Sequence, residues 1–308
     1  MNHRILITGS SGLVGSALIS DFERKGIEIE RLDIRASGPN FGDIRDRERV
    51  AHAIRHCDGV IHLAAVSRVI WGEQQPELCW STNIDGLQSI LTAATGSTLK
   101  PWVIFASSRE VYGQAQTFPV IEDCPLKPMN IYGRSKFEGE QLIERARQAG
   151  LRACTIRLSN VFGATTDHID RVVPAFARGA VAGNSLRVDG AGHTFDFTYI
   201  DDVARGITRL AELLFTGEAP PPPIHFVSGT PTTLGELAEM AIRIAGSKSL
   251  IRYAPPRNFD VERFFGNASR AQNILGWRPQ IDLAAGLTRL IGQFSAEARG
   301  ILTETVSL

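Results

Sequence analysis

Tyr132 and Lys136, four residues apart, form the pair in this sequence that is best suited to proton transfer. In a helix, residues at this spacing lie on one face, so the ammonium would stand close to the phenol. A positive charge there lowers the pKa of a tyrosine and lets its phenolate accept a proton near neutral pH. The pair therefore predicts a general base, although the spacing Y-x-x-x-K by itself occurs often by chance.

Hydroxyl groups precede this pair, in the segment F-A-S-S-R-E-V-Y-G at residues 105–113. Ser107 and Ser108 follow an apolar run that predicts a buried strand. Hydroxyls just past the carboxyl end of such a strand can hydrogen-bond a substrate oxygen. The segment therefore supplies candidate groups for holding a substrate beside the tyrosine.

Three glycines near the start of the chain indicate a dinucleotide site. A short apolar strand runs into Gly9, Gly12 and Gly15, and an amphipathic stretch that includes Leu13 and Val14 follows. The first glycine suits a tight turn, the second lets the backbone approach a pyrophosphate, and the third lets helix and strand pack closely. The diphosphate would then lie at the helix N-terminus, where free N–H groups and the helix dipole favour anions.

Asp33 strengthens this interpretation. It ends a second strand-like run, 18 residues past Gly15, and is suitably placed to accept the hydroxyls of an adenosine ribose. Arg35 is a basic residue that could accept a 2′-phosphate, but the Asp33 carboxylate would repel that phosphate. An exposed arginine in an ion pair is the ordinary interpretation of Arg35. The sequence therefore predicts NAD rather than NADP as the cofactor.

The elements that must position these residues alternate along the chain. Predicted strands are Arg4–Thr8, Ile27–Asp33, Gly59–Leu63, Trp102–Ser107, Arg152–Leu158, Leu186–Val188 and Ile224–Val227; predicted helices lie near Leu13–Lys25, Arg47–Arg55, Pro76–Ala94, Ser135–Ala149 and Val172–Ala182. Repeated β-α units predict an α/β fold, a Rossmann-type doubly wound parallel sheet, and the looser pattern after about Asn160 predicts a smaller C-terminal α/β lobe. We assign residues 1–162 to the NAD-binding domain, with a later strand from about 193–228, and residues 163–192 and 229–308 to the substrate-binding lobe.

The composition excludes several classes of partner. Lys and Arg together number 33, as do Asp and Glu, so no net charge would attract nucleic acid or an acidic membrane. The first residues leave no room for a secretory signal, and no apolar run approaches the length of a membrane span. The cysteines show neither a C-x-x-C pair nor a metal-like cluster, which predicts reduced thiols, no metal and a cytoplasmic location. They are Cys57, Cys79, Cys124 and Cys154.

Together these segments resemble the extended short-chain dehydrogenase/reductase family, and within it the NAD-dependent nucleotide-sugar epimerases and dehydratases, of the UDP-glucose 4-epimerase-like kind. The matching segments are Thr8–Gly15, Gly42–Asp46, His62–Ala65, Ser108 with the V-Y-G that follows, Tyr132 with Lys136, Arg157–Gly163 and Leu275–Pro279. The resemblance implies NAD as cofactor, a nucleotide sugar as substrate, and Ser108, Tyr132 and Lys136 as the catalytic residues.

The resemblance also implies residues that contact ligands. On the cofactor these are the three glycines with Leu13, Val14 and Asp33, then Asp43 and Ile44 on the adenine side, Leu63, Ala64 and Ala65 beneath the cofactor, and Tyr132 and Lys136, the lysine holding the nicotinamide ribose. On the substrate they are Ser108, Glu110, Asn160 and Arg257.

Two positions depart from the family pattern. Many members carry an arginine that clamps the nucleotide diphosphate where this chain has Phe195, and Arg187 is a plausible replacement because arginine suits bidentate phosphate recognition. Dehydratases of the family carry Thr-Asp-Glu where this chain has Ser108-Arg109-Glu110. Arg109 cannot serve as the acid that helps to expel water, because a guanidinium stays protonated.

We therefore predict NAD-dependent epimerisation of a nucleotide sugar, at C4 of a UDP-hexose, through a transient 4-keto intermediate. A dehydratase or decarboxylase with Glu110 as an extra base, and a reductase that releases its cofactor each turnover, are alternatives from the same fold. A non-catalytic NAD sensor has little need for the three catalytic residues together. By analogy with relatives, helices near Pro76–Ala94 and Ser135–Ala149 are predicted to pair in a homodimer.

Overall fold

The computed structural model describes residues 3–300. Its strands are β1 (Arg4–Thr8), β2 (Glu28–Leu32), β3 (Gly59–His62), β4 (Trp102–Ser108), β5 (Ala153–Leu158), β6 (Asn160–Phe162), β7 (Leu186–Asp189), β8 (Thr194–Tyr199), β9 (Ile224–Phe226), β10 (Pro231–Thr233) and β11 (Ile251–Ala254). Its α-helices are α1 (Leu13–Arg24), α2 (Arg47–Ile54), α3 (Val69–Gln74), α4 (Pro76–Trp80), α5 (Gly86–Gly96), α6 (Ile131–Gln148), α7 (Val172–Val181), α8 (Ile200–Phe215), α9 (Leu234–Ala245), α10 (Ser269–Leu275) and α11 (Leu283–Ala298).

Six strands form one parallel sheet in the order β2-β1-β3-β4-β5-β9. Thr8, at the end of β1, lies opposite both Leu32 of β2 and His62 of β3. All six carboxyl ends therefore lie at one edge, which is where ligands bind in such sheets. The predicted Rossmann-type α/β fold is confirmed.

Residues of alternating position along each strand pack on opposite faces of this sheet. Ile5 and Ile7 of β1 belong to one buried apolar cluster, whereas Leu6 belongs to another that includes Val60 and Val103. This alternation follows from the two-residue period of a strand, and burial on both faces explains the apolar runs of the central strands β1 and β4. The edge strand β2 carries Glu28, Glu30 and Arg31 and is less buried. The sheet is thus covered by helices on both sides.

Two smaller sheets follow in the second half of the chain. One has the order β10-β8-β6, and the other pairs β11 with β7. The late strand β9 joins the large sheet beside β5. The apolar cluster on one face of the large sheet continues into α9 and α11. The division into a cofactor domain and a substrate lobe stays a prediction.

Two helix boundaries differ from those predicted. The helix predicted over Pro76–Ala94 is broken by a π-helical turn at Ser81–Asp85 into α4 and α5. Helix α6 begins at Ile131 and not at Ser135, because the Asn130 side chain caps it by accepting a hydrogen bond from the Gly133 N–H at 2.7 Å. None of the helices described is long and apolar enough to cross a membrane.

Candidate active site

A cavity of about 500 Å³ lies at the carboxyl edge of the large sheet. It brings together every predicted cofactor residue and the three predicted catalytic residues: Gly9, Gly12, Leu13, Val14, Gly15, Asp33, Asp43, Ile44, Leu63, Ala64, Ala65, Ser108, Tyr132 and Lys136. These residues come from the ends of several strands and the helices that follow. Their shared position results from the parallel arrangement of the strands.

The glycine loop has the geometry that a diphosphate requires. Gly9 has φ +70°, and a Cβ there would lie 2.7 Å from the backbone nitrogen of Ala64. A Cβ on Gly15 would lie 2.4 Å from the carbonyl oxygen of Gly9. Side chains are therefore excluded at both positions, and Gly12 caps helix α1, whose first N–H groups border the cavity. This cradle fits the pyrophosphate of a dinucleotide.

Asp33 lies at the end of β2 with both carboxylate oxygens engaged. Oδ2 accepts a hydrogen bond from the Ser11 N–H at 2.9 Å, and Oδ1 accepts one from the Arg35 N–H at 2.7 Å. The Arg35 guanidinium is half exposed, with Nε 3.6 Å from Oδ1. A buried carboxylate at this place fits a ribose diol, so the residues present fit NAD.

Tyr132 and Lys136 lie in the first two turns of α6, beside the end of β4. Lys136 Nζ donates a hydrogen bond to the Ala106 carbonyl oxygen at 2.8 Å and lies 5.9 Å from the centre of the Tyr132 ring. The Ser108 hydroxyl oxygen accepts a hydrogen bond from the Glu110 N–H at 3.2 Å. A strand end and a helix start thus hold the three side chains around one place.

The proton affinities at this place differ from the expectation drawn from spacing. Burial raises the pKa of Tyr132 to about 12, while a hydrogen bond from Ser108 and the charge of Arg171 act in the opposite direction. Burial also lowers the pKa of Lys136 to about 8. The expectation that Lys136 brings the phenol pKa toward neutrality is not met here, because loss of solvation outweighs the nearby positive charges.

A buried polar network fixes α6 against the sheet behind these residues. Arg157 of β5 donates to both carboxylate oxygens of Glu140 on α6, at 2.9 and 2.6 Å, and Ser107 donates to the same carboxylate at 2.5 Å. The Arg157 guanidinium also donates to the Tyr112 hydroxyl at 2.6 Å. Bidentate arginine–carboxylate pairs are geometrically strict, so this network sets the distance between α6 and the end of β4.

The π-helical turn between α4 and α5 supports α6 from the other side. Asn83 in this turn donates to the Ser135 hydroxyl at 2.8 Å and accepts a hydrogen bond from the Val66 N–H at 2.8 Å. Ser135 in turn donates to the Tyr132 carbonyl oxygen at 2.8 Å. π-helical turns often mark functional sites, and this one ties the loop after β3 to the helix that carries the proposed base.

The predicted substrate residues are only partly brought together. Glu110 is buried one residue beyond Arg109, and its Oε2 accepts a hydrogen bond from Asn130 Nδ2 at 2.8 Å. Asn130 Nδ2 also lies 3.3 Å from the Phe259 carbonyl oxygen, which places the Arg257 segment near the site. Their roles stay predictions.

The other two predicted substrate residues lie on β6 and β7. Asn160 begins β6, opposite Phe197 of β8. Arg187 is 74% exposed, pairs with Asp189 at 2.7 Å, and is not among the residues that line the cavity. Glu110, Asn160 and Arg257 are not among these lining residues either, and the phosphate role of Arg187 stays a prediction.

The loop between β6 and α7 supplies cavity residues that the motifs did not indicate. Asp167, His168 and Arg171 line the cavity, and the His168 ring packs edge-on against Trp71 with ring centroids 4.8 Å apart. Arg68 forms an ion pair with Asp170 across the same junction. The only signal in the sequence is the charged run D-H-I-D-R, which by itself is typical of a solvated loop.

Asp167 is the most unusual of these residues. Its side chain is buried, Oδ1 accepts a hydrogen bond from the His168 N–H at 2.8 Å, and Oδ2 has no hydrogen-bond partner within residues 3–300. Burial raises the pKa of this carboxyl group, although Arg171 is 3.6 Å away. Among the described residues no group of three or more His, Cys, Asp or Glu side chains is arranged to hold a metal ion.

Comparison with known proteins identifies relatives along nearly the full chain. A family model described as the NAD dependent epimerase/dehydratase family matches residues 5–225. A UDP-glucose 4-epimerase from Streptomyces lividans is 29% identical, over 92% of this chain and 94% of that protein.

Solved structures are similar in fold and sequence. The UDP-glucose 4-epimerase of Thermotoga maritima, solved with UDP-glucose, has a TM-score of 0.87 and 28% identity, over 96% of this chain and 99% of that one. The enzyme of the same name from Thermus thermophilus, solved with NAD, has a TM-score of 0.84 and 27% identity, over 94% and 98% of the two chains.

Proposed function

We propose a reaction for this chain, which belongs to the NAD dependent epimerase/dehydratase family: epimerisation at C4 of a nucleotide sugar, with a UDP-hexose as substrate. The observation that carries the proposal is that one cavity is lined by both the dinucleotide cradle and the trio Ser108, Tyr132 and Lys136. Relatives named UDP-glucose 4-epimerase support the reaction and the substrate class.

The residues of the cavity have separate roles in this reaction. Tyr132 accepts the proton of the sugar C4 hydroxyl, and Ser108 holds the same oxygen by a hydrogen bond. NAD, held by the glycine loop, Asp33 and Lys136, would supply the acceptor and the donor of a hydride at C4. The 4-keto sugar turns over in the site between the two transfers, and Tyr132 then gives the proton back. The result is inversion at C4 without net redox change.

Lys136 has a positioning and electrostatic role in this scheme. Its ammonium donates to the Ala106 carbonyl oxygen at the end of β4, so the charge is held beside the place where the phenolate forms. The positive charge of Arg171 acts to lower the pKa of that phenol. The high pKa of Tyr132 makes its phenolate a strong base toward the sugar hydroxyl.

The alternatives within the family require groups that this site arranges differently. Elimination of water from a 4-keto sugar needs a base at C5 and an acid at C6. Glu110 could act as the base, but it is paired with Arg109, whose Nη2 lies 2.9 Å from Oε1. A guanidinium does not give up its proton, so the acid is missing. Epimerisation without elimination is therefore favoured over dehydration.

NMR of the products tests the proposed function. Incubation of the NAD-loaded protein with UDP-glucose or dTDP-glucose should produce the C4 epimer, with no accumulation of a 4-keto-6-deoxy sugar. Glu110→Gln should reduce the rate only modestly, because no step of epimerisation uses this carboxylate as a base. Build-up of the keto-deoxy product, lost in Glu110→Gln, would place the protein among the dehydratases instead.

The predicted homodimer belongs to the proposal as well. Pairing of α5 and α6 with their symmetry copies would form a four-helix interface, as expected by analogy with relatives. Sedimentation should then give about twice the monomer mass of 33.6 kDa. A stable monomer at micromolar concentration would contradict this assembly.

The four cysteines are free, which suits the proposed cytoplasmic location, and cell fractionation tests this location.

A further inference from the structure

Arg109 is a buried cation with an unused hydrogen-bond donor. Its side chain is 11% exposed, and Nη2 lies 2.9 Å from Glu110 Oε1. The other terminal nitrogen, Nη1, is buried and has no hydrogen-bond partner in the described part of the chain, residues 3–300. A buried unsatisfied donor costs stability, more so on a charged group, so a donor of this kind calls for an explanation.

The residues around Arg109 hold its guanidinium in place but do not use all of its hydrogen-bond donors. Its Cζ lies 4.4 Å from the centre of the Phe195 ring, a cation–π contact that fixes the plane of the guanidinium. Glu110 balances the charge, but one of its oxygens is occupied by Asn130 Nδ2 at 2.8 Å. The unpartnered Nη1 gives this guanidinium a donor for a second oxyanion.

The position along the chain places this cation beside the proposed chemistry. Arg109 is not itself among the residues that line the cavity, but it directly follows Ser108, which lines it together with Tyr132. Phe195 of β8 contacts a guanidinium that comes from another element, the turn after β4.

We propose that Arg109 binds an oxyanion of the nucleotide-sugar substrate. This assignment rests on the proposed function. Two groups of a nucleotide sugar carry suitable oxyanions: the diphosphate attached to C1, and, in a hexuronate, the C6 carboxylate, which is attached to C5 next to the reacting C4. Both groups offer the same chemistry, because each presents anionic oxygens that can accept a hydrogen bond from the Arg109 guanidinium.

Calorimetric titration of the NAD-loaded protein with four ligands separates these sources. The ligands are uridine, UDP, UDP-glucose and UDP-glucuronate. The variant is Arg109→Met combined with Glu110→Gln, which removes both charges and leaves no unpaired buried carboxylate. Glu110→Gln alone is its reference, and Arg24→Met, an exposed arginine on α1, is a control for loss of positive charge elsewhere.

If Arg109 binds the diphosphate, the double variant should bind UDP, UDP-glucose and UDP-glucuronate at least about tenfold more weakly than Glu110→Gln, with uridine unchanged. If it binds the carboxylate, only UDP-glucuronate should lose affinity. Equal affinities in the two variants for all four ligands, or an equal loss for all of them including uridine, would overturn the assignment. The second result would show a structural role alone.

A wild-type protein that binds none of the uridine compounds would contradict the proposed function itself, and the Arg109 assignment with it. Binding by the wild type without dependence on Arg109 would overturn only the assignment. Arg109→Lys keeps the charge and serves if the double variant does not fold. A point charge without the planar fork should weaken binding of the anionic ligands while leaving uridine unaffected.

Adding Phe195→Arg to the double variant gives a final test of the source. The new guanidinium at position 195 on β8 should restore the affinity for UDP if the diphosphate is the anion that Arg109 binds. If Arg109 binds the carboxylate instead, this variant should still fail to bind UDP-glucuronate more tightly than UDP-glucose. A purely structural Arg109 predicts neither pattern.

Discussion

Tyr132→Phe should lower the turnover number by about 10²–10⁴-fold, the usual contribution of general acid–base catalysis, while the affinity for NAD stays nearly unchanged. The substitution removes one hydroxyl oxygen and keeps the ring, which is buried against its neighbours. Backbone contacts of α6, including the hydrogen bond from Ser135 to the Tyr132 carbonyl, do not depend on that oxygen. Steady-state kinetics and calorimetric titration with NAD measure the two quantities separately.

The matched control for this variant is Tyr253→Phe, which removes a hydroxyl from a tyrosine that is 65% exposed on β11. Its turnover should equal that of the wild type. Full activity in Tyr132→Phe would exclude this residue as the base.

The pH dependence of the same two proteins provides a second measurement. Because the pKa of Tyr132 is about 12, the fraction of phenolate rises with pH throughout the neutral range. Wild-type turnover should therefore rise between pH 6 and 8, and the residual turnover of Tyr132→Phe should lose this rise. An unchanged pH profile in the variant would mean that another group titrates.

NAD should bind at least tenfold more tightly than NADP, a difference of about 1.4 kcal/mol. Both oxygens of the Asp33 carboxylate are held by backbone N–H groups, so the charge cannot turn away from a 2′-phosphate. Asp33→Ser should lower the affinity for NAD, because it removes an acceptor for the ribose hydroxyls. It should also raise the affinity for NADP, because it removes a repulsion from the phosphate. Calorimetry with both cofactors measures the ratio.

Arg35 provides the control for this prediction. Its guanidinium is held near Asp33, with Nε 3.6 Å from Oδ1, and becomes available to a phosphate when the carboxylate is removed. Adding Arg35→Met to Asp33→Ser should therefore reduce NADP affinity again without a matching loss for NAD. Equal affinities of the wild type for the two cofactors would contradict the assignment of NAD.

The sequence carried most of the information about the cofactor half. The strand–glycine–helix pattern at Gly9, Gly12 and Gly15 is local, since it depends on backbone conformation and on the absence of a side chain. The acidic residue after β2 and the alternation of strands and helices are equally local. Parallel topology then brings all strand ends to one edge, where the predicted cofactor residues from Gly9 to Lys136 line one cavity. The family resemblance, and not the local pattern, indicated Leu13, Val14, Asp43, Ile44, Leu63, Ala64 and Ala65.

The energetics of the catalytic pair depended on the folded environment. Spacing indicated that Lys136 faces Tyr132, but spacing contains no information about burial, which raises the pKa of the phenol and lowers that of the ammonium. Desolvation depends on everything packed around a group, and so it emerges only when the chain is folded.

Contacts between residues distant in the chain were also invisible in the pattern. The loop before α7 brings Asp167 and Arg171 to the cavity, whereas Arg187 does not line it. Phe195 contacts Arg109, which lies 86 positions earlier in the sequence. Electrostatic and cation–π interactions act over a few ångströms of space. Local sequence specifies the elements and their motifs, whereas the distances between side chains on different elements follow from how those elements pack.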